Sequence, residues 1–192
     1  MRIQRALMIV ATAALLSIGA QAQQAPPAAP PSTPGFTLST TAFEDGGVIP
    51  NKYTQADPKY VSPALHWTNV PANTVSLVVT VRDPDGAPNK KLDDVLHWLI
   101  FNIPGTAHGL PEAVPPTPQL PDGSIQIKNT RGDVGFRGPG AGAAGPYHHY
   151  TFEIYAIDMK LSLGPDATRA QVMSAIDGHI LGKGVLMGRF HR

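Results

Sequence analysis

The stretch GFRGPGAGAAGPYHHYTFEIYAID, Gly135 to Asp158, changes character in its middle. From Gly138 to Pro146 it is glycine, alanine and proline alone, a composition that favours neither helix nor strand. From His148 onward the residues alternate. Tyr150, Phe152, Ile154 and Ala156 fall on one side, and His149, Thr151 and Glu153 on the other. A period of two is the signature of a strand with one face buried. A close-turning loop is thus delivered into a strong strand with two histidines at its entrance, so the loop and the strand are expected to meet over something polar.

Working outward, TVSLVVTVRD (Thr74–Asp83) repeats the pattern, with Val75, Leu77, Val79 and Val81 on one parity and Ser76, Thr80 and Arg82 on the other. VLHWLIFNIP (Val95–Pro104) is apolar on both sides, which predicts a central strand covered on both faces. GFTLST, SPALHWTNVP (with Leu65 and Trp67 on one side), SIQIKN and KGVLMGRF supply further short strands. One helix is predicted. Thr168-x-x-Gln171 forms a capping box, Val172, Met173 and Ile176 share a face, and Gly178 stands at the stop. The chain has 20 prolines and 19 glycines in 192 residues, which calls for many turns. The expected fold is mainly β: an antiparallel β-sandwich, Greek-key-like, with one or two peripheral helices.

Arg2 and Arg5 precede an uncharged apolar run, Ala6 to Ala20, that ends in Ala-Gln-Ala. Residues 1–22 therefore read as a cleavable signal peptide, residues 23–35 as a Pro/Ala-rich disordered linker, and residues 36–192 as the folded domain. The expected location is the periplasm or the outside of the cell. The chain has no cysteine, so neither lipid attachment nor a disulfide framework is available. After cleavage no integral membrane segment is expected. Removing residues 1–22 takes two of the 15 basic residues and none of the 14 acids, so the remainder is near neutral and nucleic acid is not an expected partner.

Three strand-end positions with core-side parity carry polar groups. Asp83 continues the Leu77-Val79-Val81 series, His97 shares parity with Leu99 and Phe101, and His148 with Tyr150. Burying such groups without partners costs several kcal/mol, so they are expected to meet at the rim of the core. The glycine-rich loop would offer amide donors at the mouth of that recess, with Tyr150 on its floor. Two imidazoles beside amides suit a small anion: phosphate, a phosphorylated headgroup or a carboxylate. The second ionisation of a phosphoryl group lies near that of histidine, so a proton can be shared across such a contact. No Gly-x-Ser-x-Gly elbow is present, which favours binding over catalysis. His148 and His149 point to opposite faces, which disfavours a metal, and no cofactor is expected.

The same residues carry a family likeness. DPDGAP (Asp83–Pro88), HWLIFNIP (His97–Pro104), LPDG (Leu120–Gly123), GFRGPG, HHYTFEIYAID and AIDGHILGKGVLMGRF (Ala175–Phe190) resemble the phosphatidylethanolamine-binding protein family. The closer resemblance is to its bacterial Raf kinase inhibitor-like branch, and it spans residues 36–190. It implies a β-sandwich with a small anion pocket formed by Asp83, His97, Gly138, Pro139, His148 and Tyr150. The chain departs from the family at GPGAG (Gly138–Gly142), where many members read Gly-Pro-Cys-Pro-Pro, and at His149, where arginine is frequent. Arg137 is expected to be a solvated surface residue. The expected function is that of an exported, non-enzymatic binding protein. The alternative is an inhibitor of a protease or kinase-like target acting through surface loops such as Leu110–Ser124.

Overall fold

A computed structural model describes residues 35–87 and 93–192. The expected signal peptide and most of the linker, and Pro88 of DPDGAP, lie outside the described residues. The strands are β1 (Thr37–Ser39), β2 (Gly47–Val48), β3 (Leu65–Thr68), β4 (Ser76–Asp83), β5 (Val95–Pro104), β6 (Gly109–Leu110), β7 (Ile125–Gln126), β8 (His148–Ile157) and β9 (Ile180–Phe190). A 3₁₀ turn (Asn51–Tyr53) follows β2, and α1 (Arg169–Ile176) precedes β9.

Among the described residues these strands form two sheets, β1-β3-β6 and β2-β9-β8-β4-β5-β7. All pairings are antiparallel except the two-residue contact of β2 with β9, which is parallel. The main core lies between the sheets: Leu38, Leu65 and Trp67 from the small sheet face Leu77, Val79, Val81, Trp98, Ile100, Phe152 and Ile154 from the large one. Each large side chain fully withdrawn from water contributes about 1.5–3 kcal/mol, which is why the period-two residues dictate which face turns inward.

The large sheet is covered on its other face as well. Val78, Leu99, Phe101 and Tyr155 form a second cluster beneath Val172 and Ile176 of α1. The Thr168 hydroxyl and the Gln171 side chain cap the start of α1 reciprocally, and Gly178 takes φ +82° just past its end, where a side chain would be strained. The expected inward position of Val75 is corrected. It precedes β4 and is 52% exposed, because the strand starts one residue later and the chain still curves at the sheet margin.

Polar residues occupy part of this outer face. Arg82 bridges Asp94 and Glu153, Arg169 also reaches Asp94, and Lys183 and the Tyr155 hydroxyl reach Glu153. Burial acts first to raise the Glu153 carboxyl, but the Lys183 and Arg82 hydrogen bonds outweigh it and hold the group below its usual range. At Asp94 burial is again overcome, here by Arg169 and Arg82.

The proline-rich Leu110–Ser124 segment is anchored from beneath. The buried Gln126 side chain donates to the Pro115 and Thr117 carbonyls and accepts from Trp98 Nε1, and Val114 is buried in the core.

Candidate functional site

At one end of the large sheet, β4, β5 and β8 each end in a polar side chain on the inter-sheet side. Asp83 closes β4 and is buried. Its Oδ1 accepts the amides of Asp85 (3.0 Å) and Gly86 (2.9 Å), so it shapes the turn that follows it. Its Oδ2 lies 2.8 Å from His148 Nδ1 on β8. On strands four apart in chain order but adjacent in the sheet, these groups form a carboxylate–imidazole pair.

His97 arrives by a different route from the expected one. Leu99 and Phe101, the residues whose parity placed it, belong to the outer cluster, and the inter-sheet core takes Trp98 and Ile100 instead. The register between β4 and β5 slips between Val81 and Arg82, pairing Val81 with Trp98 and Arg82 with Leu96. His97 is the extra residue of this bulge, which carries its ring to the inter-sheet side against Tyr150 (ring centroids 5.2 Å apart, edge-on). The expected location holds, while the alternation offered for it does not.

His97 Nδ1 is 2.8 Å from the Arg137 carbonyl oxygen, and the Arg137 amide donates to the His97 carbonyl at 2.9 Å. Burial holds this imidazole below its ordinary range, and the Arg137 carbonyl and the Asp83 charge pull against that without prevailing. Tyr150 is fully buried. Its hydroxyl is pushed up to about 12, by burial first and the Asp83 charge second.

The glycine-rich loop wraps this group as expected, but its amides are committed differently. The Gly140 and Ala141 amides both donate to the Tyr150 hydroxyl at 3.2 Å, so they fix the loop to Tyr150, which is fully buried and, contrary to expectation, does not itself line the recess. Gly138 and Pro139 turn their carbonyls away, to the Gln55 side chain (2.7 Å) and the Gln55 amide (2.8 Å). A β-carbon on Gly138 would sit 3.0 Å from the Thr54 backbone and press against it, so glycine suits that close approach. Gly138 and Pro139 therefore build the wall, and neither lines the recess.

Arg137 does line it, contrary to expectation. Its side chain is only 19% exposed and donates to Gln55 Oε1 at 3.2 Å, with Asp133 4.0 Å away. Gln55, Gly86 and Val95 join it in the lining. Arg137 stood inside a quoted motif and could have been found. Gln55 lies 82 residues from Arg137 and carries no local signal.

The result is a recess of about 330 Å³ lined by Asp83, His97, Arg137, His148 and the Gly140–Gly142 backbone. His149 turns to the other face, where its amide and ring meet Asp85 Oδ2 at 2.7 and 2.8 Å. Its amide first, then its ring, hold the Asp85 carboxyl below the usual range. Among the described residues no cluster of three or more metal-ligating side chains occurs. A larger hollow of about 930 Å³ lies between the start of α1 and the Lys128–Thr130 turn. Its Asp94 and Arg169 are already paired with each other. The smaller recess, where buried polar groups converge with ring nitrogens that have no hydrogen-bond partner among the described residues, is the better equipped for recognition.

A two-layered β-sandwich with an aspartate–histidine recess at the end of its larger sheet defines the class. The sequence profile of the phosphatidylethanolamine-binding proteins matches residues 39–191, and the chain belongs to that family. A UPF0098 protein of Methanothermobacter thermautotrophicus is 44% identical over 157 residues, covering 82% of this chain and 99% of the relative. The crystal structure of a phosphatidylethanolamine-binding protein homologue of Chlamydia trachomatis superposes with a TM-score of 0.71 at 33% identity, over 82% of this chain and 98% of that one. That of E. coli YBCL, described as a member of the mammalian family, gives 0.72 at 26% identity, over 83% and 99%.

Proposed function

We propose that the chain is an exported, non-enzymatic binding protein whose recess takes a small anionic group: phosphate, a phosphorylated headgroup or a carboxylate. The observation that carries this reading is the convergence of Asp83, His97 and His148 in one recess with the Arg137 guanidinium on its wall. The size fits a single tetrahedral or planar oxyanion with a short substituent. Binding rather than turnover is favoured because the described lining residues include no serine, threonine or cysteine. The Ala6–Ala20 run supports export.

Titration of inorganic phosphate into the purified protein tests this by the histidine ring resonances. The His97 and His148 signals are expected to move saturably, while those of His66, His108 and His179 stay in place. Silence at both His97 and His148 up to tens of millimolar phosphate overturns the proposal.

A further inference from the structure

We infer that the recess selects anions that also carry a proton to donate: a monoprotonated phosphoryl group rather than a sulfuryl group or a carboxylate. The inference rests on the anion-binding reading above and narrows it.

It follows from which ring nitrogens are already committed. A carbonyl oxygen can only accept, so His97 Nδ1, 2.8 Å from the Arg137 carbonyl, must carry a hydrogen. Burial disfavours the charged form of this ring, and a neutral imidazole protonated at Nδ1 has a bare lone pair at Nε2. His148 Nδ1 likewise lies 2.8 Å from Asp83 Oδ2, so that nitrogen is already committed and is not offered to a ligand. The loop amides of Gly140 and Ala141, which would have supplied donors, are used by Tyr150. Among the described residues the titratable and charged groups facing these rings are Asp83 from β4, Asp85 from the turn after it, Tyr150 from β8 and Arg137 from the glycine-rich loop.

The recess therefore sets one cationic donor, Arg137, against the His97 acceptor. A fully ionised oxyanion satisfies Arg137 but sets its lone pairs against those of His97. A monoprotonated phosphoryl group satisfies both, with an anionic oxygen toward Arg137 and its P–O–H toward His97 Nε2. Sites built to bond a ligand hydroxyl discriminate strongly against the analogue that lacks it, because a buried polar group is then left unpaired.

Methyl phosphate and methyl sulfate provide the test. They are close in shape, and at pH 5.5 both are largely monoanions, because the second ionisation of a phosphate ester lies near about 6. They then differ by one O–H. Calorimetric or NMR titration at pH 5.5 is expected to give methyl phosphate at least a tenfold tighter Kd. Raising the pH to 8 is expected to weaken methyl phosphate relative to methyl sulfate, as its O–H is lost. A parallel fall of both ligands would contradict the inference. Equal affinities at pH 5.5, or tighter methyl sulfate, overturn the selectivity while leaving an anion site in place. Failure of both ligands to bind removes the anion site itself.

Discussion

Replacing Asp83 by alanine is expected to abolish phosphate binding and to lower stability by about 3 kcal/mol, since two turn amides and a histidine N–H lose one buried acceptor together. The carboxylate accepts from the Asp85 and Gly86 amides through Oδ1 and from His148 through Oδ2, and it is 5% exposed, so water cannot readily replace it. Asp83→Asn separates the two effects. Its carbonyl oxygen can still serve the turn amides, while its NH₂ would face His148 Nδ1 and force that ring into the other tautomer. The asparagine variant is expected to recover more than half of the lost stability, read from urea midpoints. Equal destabilisation by alanine and asparagine would show that the turn bonds are not what Asp83 contributes.

Arg82→Met should cost about 2 kcal/mol, less than the roughly 3–5 kcal/mol of breaking a fully buried ion pair, because Glu153 keeps Lys183 and Asp94 keeps Arg169. The change also alters the pH profile. Asp94 and Glu153 are held below their usual carboxyl range in the folded protein. Their contribution is therefore complete above the unfolded carboxyl pKa of about 4 and is lost as pH falls through their lower folded values. The wild-type Tm is expected to drop steeply below about pH 4.5, where carboxylates begin to take up protons in the unfolded state. In Arg82→Met both carboxylates lose a partner while remaining buried, so the drop should be shallower. An unchanged slope would mean that Arg82 does not set the ionisation of either group.

Much of this was legible in the alternation. Asp83 and His148 extend unbroken period-two series, Leu77-Val79-Val81 and Tyr150-Phe152-Ile154, so their inward direction could be read residue by residue. The helix was equally readable, because its cap and its glycine stop are local chemistry. His97 was placed correctly for an insufficient reason. A bulge is a property of two strands in register, and nothing within VLHWLIFNIP announces that Val81 will face Trp98 while Arg82 faces Leu96. That strand is apolar on both sides because each face has its own core, so alternation carries no direction there.

The glycine-rich loop was read for what its backbone could donate, and its donors are spent on Tyr150. Which acceptor an amide meets depends on a side chain nine or ten residues away and on the path of the loop between them. Arg137 was assigned to solvent because its type is usually exposed. Gln55, a residue from a distant turn, holds it in the wall. Contacts of that separation depend on the completed fold.

The most direct measurement is a crystal structure of the protein soaked in phosphate. The expected result is a tetrahedral density in the recess between Arg137 and the Nε2 atoms of His97 and His148, with the Gly140 and Ala141 amides still bonded to Tyr150. Well-ordered crystals in which that recess holds only water at saturating phosphate, or in which phosphate sits elsewhere, would contradict it.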